Sequence, residues 1–308
     1  MATGMSIHVG VNDTQAAGVS APLHGCDEDA RKMFKLARDR GFVGVGDGED
    51  APILGDNATR DKVLAKILFA AEQLQAGDIF LFTFSGHGTR RGQEDDNEVD
   101  ENDETLVMQD LFLVDNVLRK LVWPSFKAGV RVVMVSDSCH SGGVAMSSLV
   151  RDSESESHTV GASVVMAHSG SDWSAAPVSH REVRSGPQSE FRIRTISDFE
   201  NQTHFELMKE FYAKVRSDLP QVPPPITANI LLLAACREHE TTKDGDPNGV
   251  FTRELLNVFN SNGSKTYSQL MDGIRLNLLA ANETSHPVMM SIGDSPAFSD
   301  TEAFRIDL

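Results

Sequence analysis

The chain has few of the features that would place it in several common classes of protein. Its 308 residues include only three cysteines, which are too few and too odd in number for a framework of disulfides, so we predict a reducing, cytoplasmic location. No apolar run approaches the roughly 18 residues of a membrane-spanning helix. The N-terminus also has no basic segment followed by an apolar one, so we predict neither a membrane segment nor a secretory signal.

Positive charge is scarce as well. The chain has 28 lysines and arginines against 45 aspartates and glutamates, a formal net charge of −17. Nucleic acids and anionic membranes bind proteins through basic patches, so we predict that neither is a partner. The excess of acid leaves room for a cationic ligand, although solubility alone would also explain it.

Two short apolar runs end in small polar residues and glycine, as buried parallel strands do. The run at 79–84 is followed by Ser-Gly-His-Gly, which contains His87, and the run at 130–135 leads to Cys139 and a pair of glycines. Chemistry in open α/β sheets takes place just beyond the carboxyl ends of the strands. We therefore predict that His87 and Cys139 meet as a Cys–His dyad.

The remaining pattern alternates apolar strands with amphipathic helices. It predicts an α/β fold with a mainly parallel sheet of about six strands, flanked by helices. Residues 148–226 interrupt this pattern with Ser, His, Arg, Glu and Pro, and contain one convincing helical stripe, which runs from Met208 to Val215. An insertion of this length is either a functional flap or a partly disordered linker.

Cysteine attacks as the thiolate and needs a base or a positive environment to ionise near neutral pH. His87 is the predicted base. The glycines beside each motif allow backbone N–H groups to approach a substrate carbonyl, and Gly88 and Cys139 are the predicted oxyanion donors. The alternative is a small buried cysteine and an unrelated turn histidine, but two glycine-flanked strand ends favour the dyad.

These motifs resemble a known family. Ser85–Gly88 and Asp137–Gly142 are similar to the catalytic signatures of the metacaspases and orthocaspases, which are caspase-like cysteine peptidases. Further similarity covers residues 5–147 and 227–307. The resemblance implies a caspase-like three-layer sandwich with a p20-like catalytic region at 1–147, an insertion at 148–226, and a p10-like subdomain of the same fold at 227–308.

The resemblance also implies roles for single residues. His87 would be the base and Cys139 the nucleophile, while Asp29, Ser85 and Asp137 would line the S1 pocket, which binds the residue before the scissile bond. Asp137 lies two residues before the nucleophile, and a buried carboxylate there would pair with Arg or Lys and repel Asp. We therefore predict an endopeptidase that cleaves proteins or peptides after Arg or Lys. The alternative role for Asp137 is a cap on the strand end.

Calcium is not required for this chemistry, but the resemblance suggests it as an activator. Asp103 and Asp115 match calcium-binding positions of the family, and the acidic run at 94–104 suits a hard cation. Asn116 and Met146, however, stand where relatives have acids, and an ordinary solvated charge run would also explain the segment.

Arginines in the insertion are candidate self-cleavage sites, although a passive linker would carry them too. They are Arg151, Arg181, Arg184, Arg192 and Arg194. The resemblance further implies a monomer. Two other functions stay open: a catalytically silent caspase-like scaffold or calcium-responsive binding module, and a different Cys–His hydrolase such as a deacylase.

Overall fold

The apolar runs of the sequence form the middle of one large sheet. A computed structural model describes residues 1–46, 50–90, 104–140, 192–237, 240–293 and 297–308, together with the backbone of a short strand at 165–166. The strands in chain order are β1 (Gly4–Gly10), β2 (Val43–Gly44), β3 (Ile53–Leu54), β4 (Ile79–Ser85), β5 (Gly88–Arg90), β6 (Glu104–Val107), β7 (Phe112–Val114), β8 (Arg131–Asp137), β9 (Val165–Met166), β10 (Asn229–Ala234) and β11 (Val288–Ile292).

The large sheet has the strand order β2-β1-β4-β8-β10-β11-β9, and β3 also pairs with β1. The pairs from β2 to β10 are parallel, whereas β11 runs antiparallel to both of its neighbours. The mainly parallel sheet is therefore confirmed. In the part of the chain that the structure describes, it has eight strands instead of about six, because strands of two residues are too short to leave an apolar pattern in the sequence.

Helices cover both faces of this sheet, which confirms the three-layer sandwich. They are α1 (Cys26–Asp39), α2 (Arg60–Gln73), α3 (Asp115–Val117), α4 (Trp123–Ser125), α5 (Asp198–Leu207), α6 (Lys209–Asp218), α7 (Val250–Asn260) and α8 (Tyr267–Ala280), with a π-helical turn at Leu118–Val122 and 3-10 turns at Gly55–Asn57 and Phe298–Asp300.

The strands β4, β8 and β10 are buried on both faces, which explains why they read as continuous apolar runs. Side chains alternate between the layers, so that Phe80 and Phe82 face one core cluster while Ile79 and Leu81 face the other. Helices α2 and α6 pack on the first cluster, and α1, α7 and α8 on the second. None of the helices in the described part of the chain has the length and apolarity to cross a membrane.

A smaller antiparallel sheet, β5-β6-β7, begins directly after His87 and anchors the end of the predicted insertion. The ring of His204 on α5 stacks on Phe112 of β7, with ring centroids 3.8 Å apart. Its two nitrogens bond the carbonyl of Ala17 at 2.9 Å and the hydroxyl of Tyr212 at 2.8 Å. The chain after residue 195 is therefore held on the body of the protein by its own contacts.

The helix predicted from the stripe at 208–215 is confirmed as α6, whereas α5 is not predicted. Helix α5 buries the polar side chains of Asn201 and His204 and exposes Phe199 and Leu207. Its amphipathic pattern is therefore reversed, and a search for an apolar stripe does not find it. The final part of the segment at 148–226 is thus folded and packed on the core.

Candidate active site

Strand register brings the two predicted catalytic residues to one edge of the sheet. Strands β4 and β8 are neighbours, and Ser85 pairs with Asp137 at their carboxyl ends. His87 and Cys139 each follow by two residues, so both backbones leave the sheet at the same level. The equal offset of the two motifs from their strands is the local reason that a histidine and a cysteine so far apart in the chain share one site.

The thiol of Cys139 is buried against Thr242. The N–H of Thr242 donates to Sγ at 3.2 Å, and the thiol donates to the Thr242 carbonyl at 3.5 Å. Burial raises the pKa of Cys139, and the neighbouring Cys236 adds to this effect. In this state the thiol is protonated.

His87 is oriented by a backbone carbonyl. Its Nε2 donates to the carbonyl of Ala21, so Nδ1 carries the lone pair of the neutral ring. Nδ1 is buried and has no hydrogen-bond partner among the described residues. Burial also lowers the pKa of His87. The ring is therefore neutral and able to accept a proton at Nδ1.

Two backbone N–H groups converge on one carbonyl oxygen of the chain itself. Gly88 donates to the carbonyl of Arg194 at 3.0 Å, and Cys139 donates to the same oxygen at 3.3 Å. A Cβ on Gly88 would collide with the carbonyl of Cys139, so only glycine permits this approach. The arrangement has the form of an oxyanion hole, with the Arg194 carbonyl in the place of a substrate carbonyl.

The side chain of Arg194 fills the predicted S1 pocket and is fully buried. Its Nη1 donates to the Ser85 hydroxyl at 2.7 Å and the Asp137 carbonyl at 2.8 Å, and lies 3.0 Å from the Asp137 carboxylate. Its Nη2 donates to Asp29 at 2.7 Å and to Asp244 at 3.0 Å. Three carboxylates and a hydroxyl thus surround one guanidinium.

The start of α7 and the loop before it support two of these carboxylates. Asp29 accepts hydrogen bonds from the side chain of Asn248 at 2.8 Å and from the N–H of Gly249 at 3.1 Å. Asp137 accepts from the N–H and the hydroxyl of Thr252, at 2.9 and 2.7 Å. A Cβ on Gly249 would collide with the bound guanidinium. The C-terminal region therefore completes a pocket that the N-terminal region begins.

The backbone before the Arg194 carbonyl lies like an added strand. Residues 192–194 pair antiparallel with residues 242–244. Arg194 donates its N–H to the Thr242 carbonyl at 3.1 Å, and the carbonyl of Arg192 accepts the N–H of Asp244 at 2.7 Å. A peptide substrate would be held in register by the same backbone groups.

The charges of the pocket depend on one another. Burial raises the pKa of Asp137 to about 6, against the opposing effect of the Arg194 guanidinium, and Asp29 adds to the increase. For Arg194, burial would lower the pKa, but the surrounding carboxylates raise it well above its usual value. The guanidinium therefore stays charged, and its positive charge partly neutralises the three carboxylates that surround it.

Most of the predicted site residues that the structure describes lie around Arg194. They are Asp29, Ser85, His87, Gly88, Asp137 and Cys139. Of the predicted self-cleavage arginines, Arg192 and Arg194 are described, whereas Arg151, Arg181 and Arg184 lie outside the described residues.

Only one of the two predicted calcium positions lies in the described part of the chain. Asp115 is buried at the start of α3, and Asp103 lies outside the described residues. Within the described ranges no group of three or more His, Cys, Asp or Glu side chains is placed to hold a metal ion. Calcium activation stays a prediction.

Sequence reasoning missed Ala21, Thr242, Asp244 and Gly249. Thr242 and Asp244 lie in the loop that follows β10, the neighbour of β8, so they reach the same edge of the sheet as Cys139. The rule that strand ends gather at one edge could have found this polar loop. Nothing in the sequence identifies a backbone carbonyl as the partner of a histidine.

A sandwich of this topology, with histidine and cysteine after adjacent parallel strands and two amides aimed at one carbonyl, defines a caspase-like protein. The family model for the caspase domain matches residues 4–295, so the chain belongs to that family.

Individual relatives agree with this assignment. The chain is 24% identical to Metacaspase-1 of Mycosarcoma maydis over 297 residues, which is 89% of this chain and 69% of the relative. It is 32% identical to Inactive metacaspase-4 of Trypanosoma brucei brucei over 145 residues, 44% of this chain and 40% of the relative. Its matches to the first curated relatives span about two fifths of their length.

A solved structure has the same fold. Protein GSU0716 from Geobacter sulfurreducens is similar over 99% of both chains, with a TM-score of 0.74 and 26% sequence identity.

The ion cluster makes a prediction about stability. In a Cys139→Ala background, Arg194→Ala leaves three carboxylates without their cation and should lower the free energy of unfolding at pH 8 by about 3 kcal/mol. Burial raises the pKa of Asp137, and the variant lacks the guanidinium that opposes this effect, so the loss grows as pH rises through that pKa and is smaller near pH 4. Chemical denaturation at the two pH values measures both effects.

The control is Arg305→Ala, which removes an exposed arginine 3.2 Å from Glu302 and should cost less than about 1 kcal/mol at either pH. Equal, pH-independent losses for Arg194→Ala and Arg305→Ala would contradict the ion cluster.

Proposed function

We propose that the chain is a cysteine endopeptidase that cleaves after arginine or lysine, and that its first substrate is its own Arg194–Thr195 bond. One observation carries the proposal. The Arg194 carbonyl receives the N–H groups of Gly88 and Cys139, while the Arg194 side chain is fully buried among carboxylates. This is the position that the residue before a scissile bond has to take.

The mechanism is acyl transfer. The Cys139 thiol first leaves the Thr242 carbonyl, to which it donates at 3.5 Å, and gives its proton to Nδ1 of His87. Sγ then attacks the carbonyl carbon of Arg194. The oxygen becomes negative between the two N–H donors, which stabilise it. His87 then gives the proton to the nitrogen of Thr195, the C–N bond breaks, and a thioester remains. Water activated by His87 hydrolyses the thioester and frees both termini.

The protonation states of His87 and Cys139 are those expected in the uncut chain, before self-cleavage. A neutral imidazole and a protonated thiol are the reactant pair for this transfer, and the raised pKa of Cys139 keeps its thiol unreactive toward other electrophiles. Cleavage separates residues 192–194 from Thr195, and they stay bound through the pocket, through residues 242–244 and through the hydrogen bond from Arg192 to the Pro22 carbonyl at 2.6 Å. Their release opens the site to protein substrates with arginine or lysine in the same position.

A silent caspase-like scaffold is the second candidate function. One relative carries the name Inactive metacaspase-4, and a buried arginine that is never cut would hold the pocket closed permanently. Both His87 and Cys139 are present here, which favours the enzyme, since a silent copy needs neither. A deacylase is the third candidate and would turn over small thioesters or amides while ignoring peptides.

Self-cleavage is tested by intact-mass analysis of the purified chain. Wild-type protein should yield two fragments, the second of which begins at Thr195, whereas Cys139→Ala and Arg194→Ala should remain whole. The control Arg305→Ala should be cut like the wild type, because it lies outside the site. An intact wild-type chain under all conditions would favour the scaffold, and a cut that persists in Cys139→Ala would show a contaminating protease.

Cleavage of added substrate is tested with fluorogenic acetyl-Arg-Ile-Xaa peptides, which copy the sequence of residues 192–194 and in which Xaa is Arg, Lys or Asp. Arginine and lysine peptides should be cut at least about a hundredfold faster than the aspartate peptide, because like charge in the pocket costs several kcal/mol.

The pH dependence of the same assay is a second prediction. For the arginine peptide, kcat should decrease as the pH is lowered through about 6, because Asp137 takes up a proton there and its ion pair with the substrate weakens.

These assays are run with and without calcium. Cleavage only after aspartate, or a kcat that is unchanged down to pH 4, would contradict the assignment of the pocket.

A further inference from the structure

We infer that Asp244 is a specificity-determining residue that makes the S1 pocket select arginine over lysine. The inference rests on the proposed function and goes beyond it, because the carboxylates of Asp29 and Asp137 alone would accept either cation. The basis is the way in which the two terminal nitrogens of the Arg194 guanidinium are divided between different parts of the fold.

The two nitrogens have separate sets of partners. Nη1 is bound at the strand ends, by Ser85 at 2.7 Å and by the carbonyl and carboxylate of Asp137 at 2.8 and 3.0 Å. Nη2 is bound by Asp29 at 2.7 Å and Asp244 at 3.0 Å. A planar fork fits both sets at once.

A lysine side chain ends in a single nitrogen. Placed at the Nη1 position, its ammonium would contact Ser85 and Asp137 and leave Asp29 and Asp244, the two partners of Nη2, without a cation. Placed at the Nη2 position, it would give up the strand-end acceptors. In either position lysine satisfies one of the two sets, and a buried carboxylate or hydroxyl loses its partner.

Asp244 is held rigidly in place for this role. It is 4% exposed, and its carboxylate accepts the N–H of His24 at 2.7 Å and that of Gly25 at 3.1 Å. Its own N–H donates to the carbonyl of Arg192 at 2.7 Å. The carboxylate therefore cannot swing toward a lysine ammonium without breaking the turn that precedes α1. One residue thus contacts both the backbone of the bound segment and the guanidinium.

This geometry predicts that the loss of the Asp244 charge affects the two substrates unequally. An arginine substrate loses one of its three ion pairs, whereas a lysine that binds at the strand ends loses none. A change in general pocket acidity or in folding would weaken both substrates alike.

The test compares kcat/KM for acetyl-Arg-Ile-Arg and acetyl-Arg-Ile-Lys substrates in the wild type, Asp244→Asn and Asp39→Asn. Asp39 is exposed at the end of α1, 2.6 Å from Lys35, so its replacement is the matched control for charge. We expect the wild type to favour arginine at least about tenfold. Asp244→Asn should lower the arginine value about tenfold to a hundredfold and the lysine value less than about threefold, whereas Asp39→Asn should change neither.

Equal cleavage of both peptides by the wild type, or an unchanged ratio in Asp244→Asn, would overturn the inference and leave the proposed peptidase intact. Binding of the corresponding peptide amides to a Cys139→Ala, Arg194→Ala double variant, measured by calorimetry, gives a readout that does not need turnover. The arginine peptide should bind more tightly than the lysine peptide, and the added Asp244→Asn change should remove the difference. If no peptide is cleaved and none is bound, the proposed function itself is overturned.

Discussion

The structure of the site depends on one buried cation. The Arg194 guanidinium compensates Asp29, Asp137 and Asp244, each of which is removed from water. A carboxylate in that environment is costly unless a positive charge and hydrogen bonds accompany it. The three carboxylates come from α1, from the end of β8 and from the loop after β10. The ion cluster therefore joins the N-terminal and C-terminal regions at one edge of the sheet.

The same cation fixes the position of the Arg194 carbonyl. Because the side chain is held among the carboxylates and the backbone is paired with residues 242–244, the Arg194 carbonyl faces the N–H groups of Gly88 and Cys139. In the proposed peptidase, specificity and catalysis are thus not separate features of the fold. Asp137 and Cys139 lie on one strand end, two residues apart, so that the recognition of charge and the alignment of the carbonyl share a rigid support.

Much of this arrangement could be predicted from the sequence because it follows from strands. The runs that become β4 and β8 are apolar throughout, and the residues after them carry the histidine, the cysteine and an aspartate at fixed offsets. The strand-end rule points to the loop after β10, but it does not identify Asp244, because loop geometry has no periodicity that would tell which residue of a long loop reaches the site. Helix α5 was not predicted from an apolar stripe, because it buries His204 and Asn201 in place of apolar side chains. Arg194 could be named as a candidate but not chosen among five arginines, since only tertiary contacts distinguish it.

The central claim is that Arg194 lies in the pocket of its own chain, and the kinetic order of self-cleavage tests it most directly. The fraction of uncut wild-type chain is followed by mass spectrometry after the denatured chain is returned to folding conditions, with and without calcium, over about a hundredfold range of protein concentration. A bond already seated in its own site should be cut with a first-order rate constant that does not depend on concentration. A rate constant that rises in proportion to concentration, or a first cut elsewhere than after Arg194, would contradict the account.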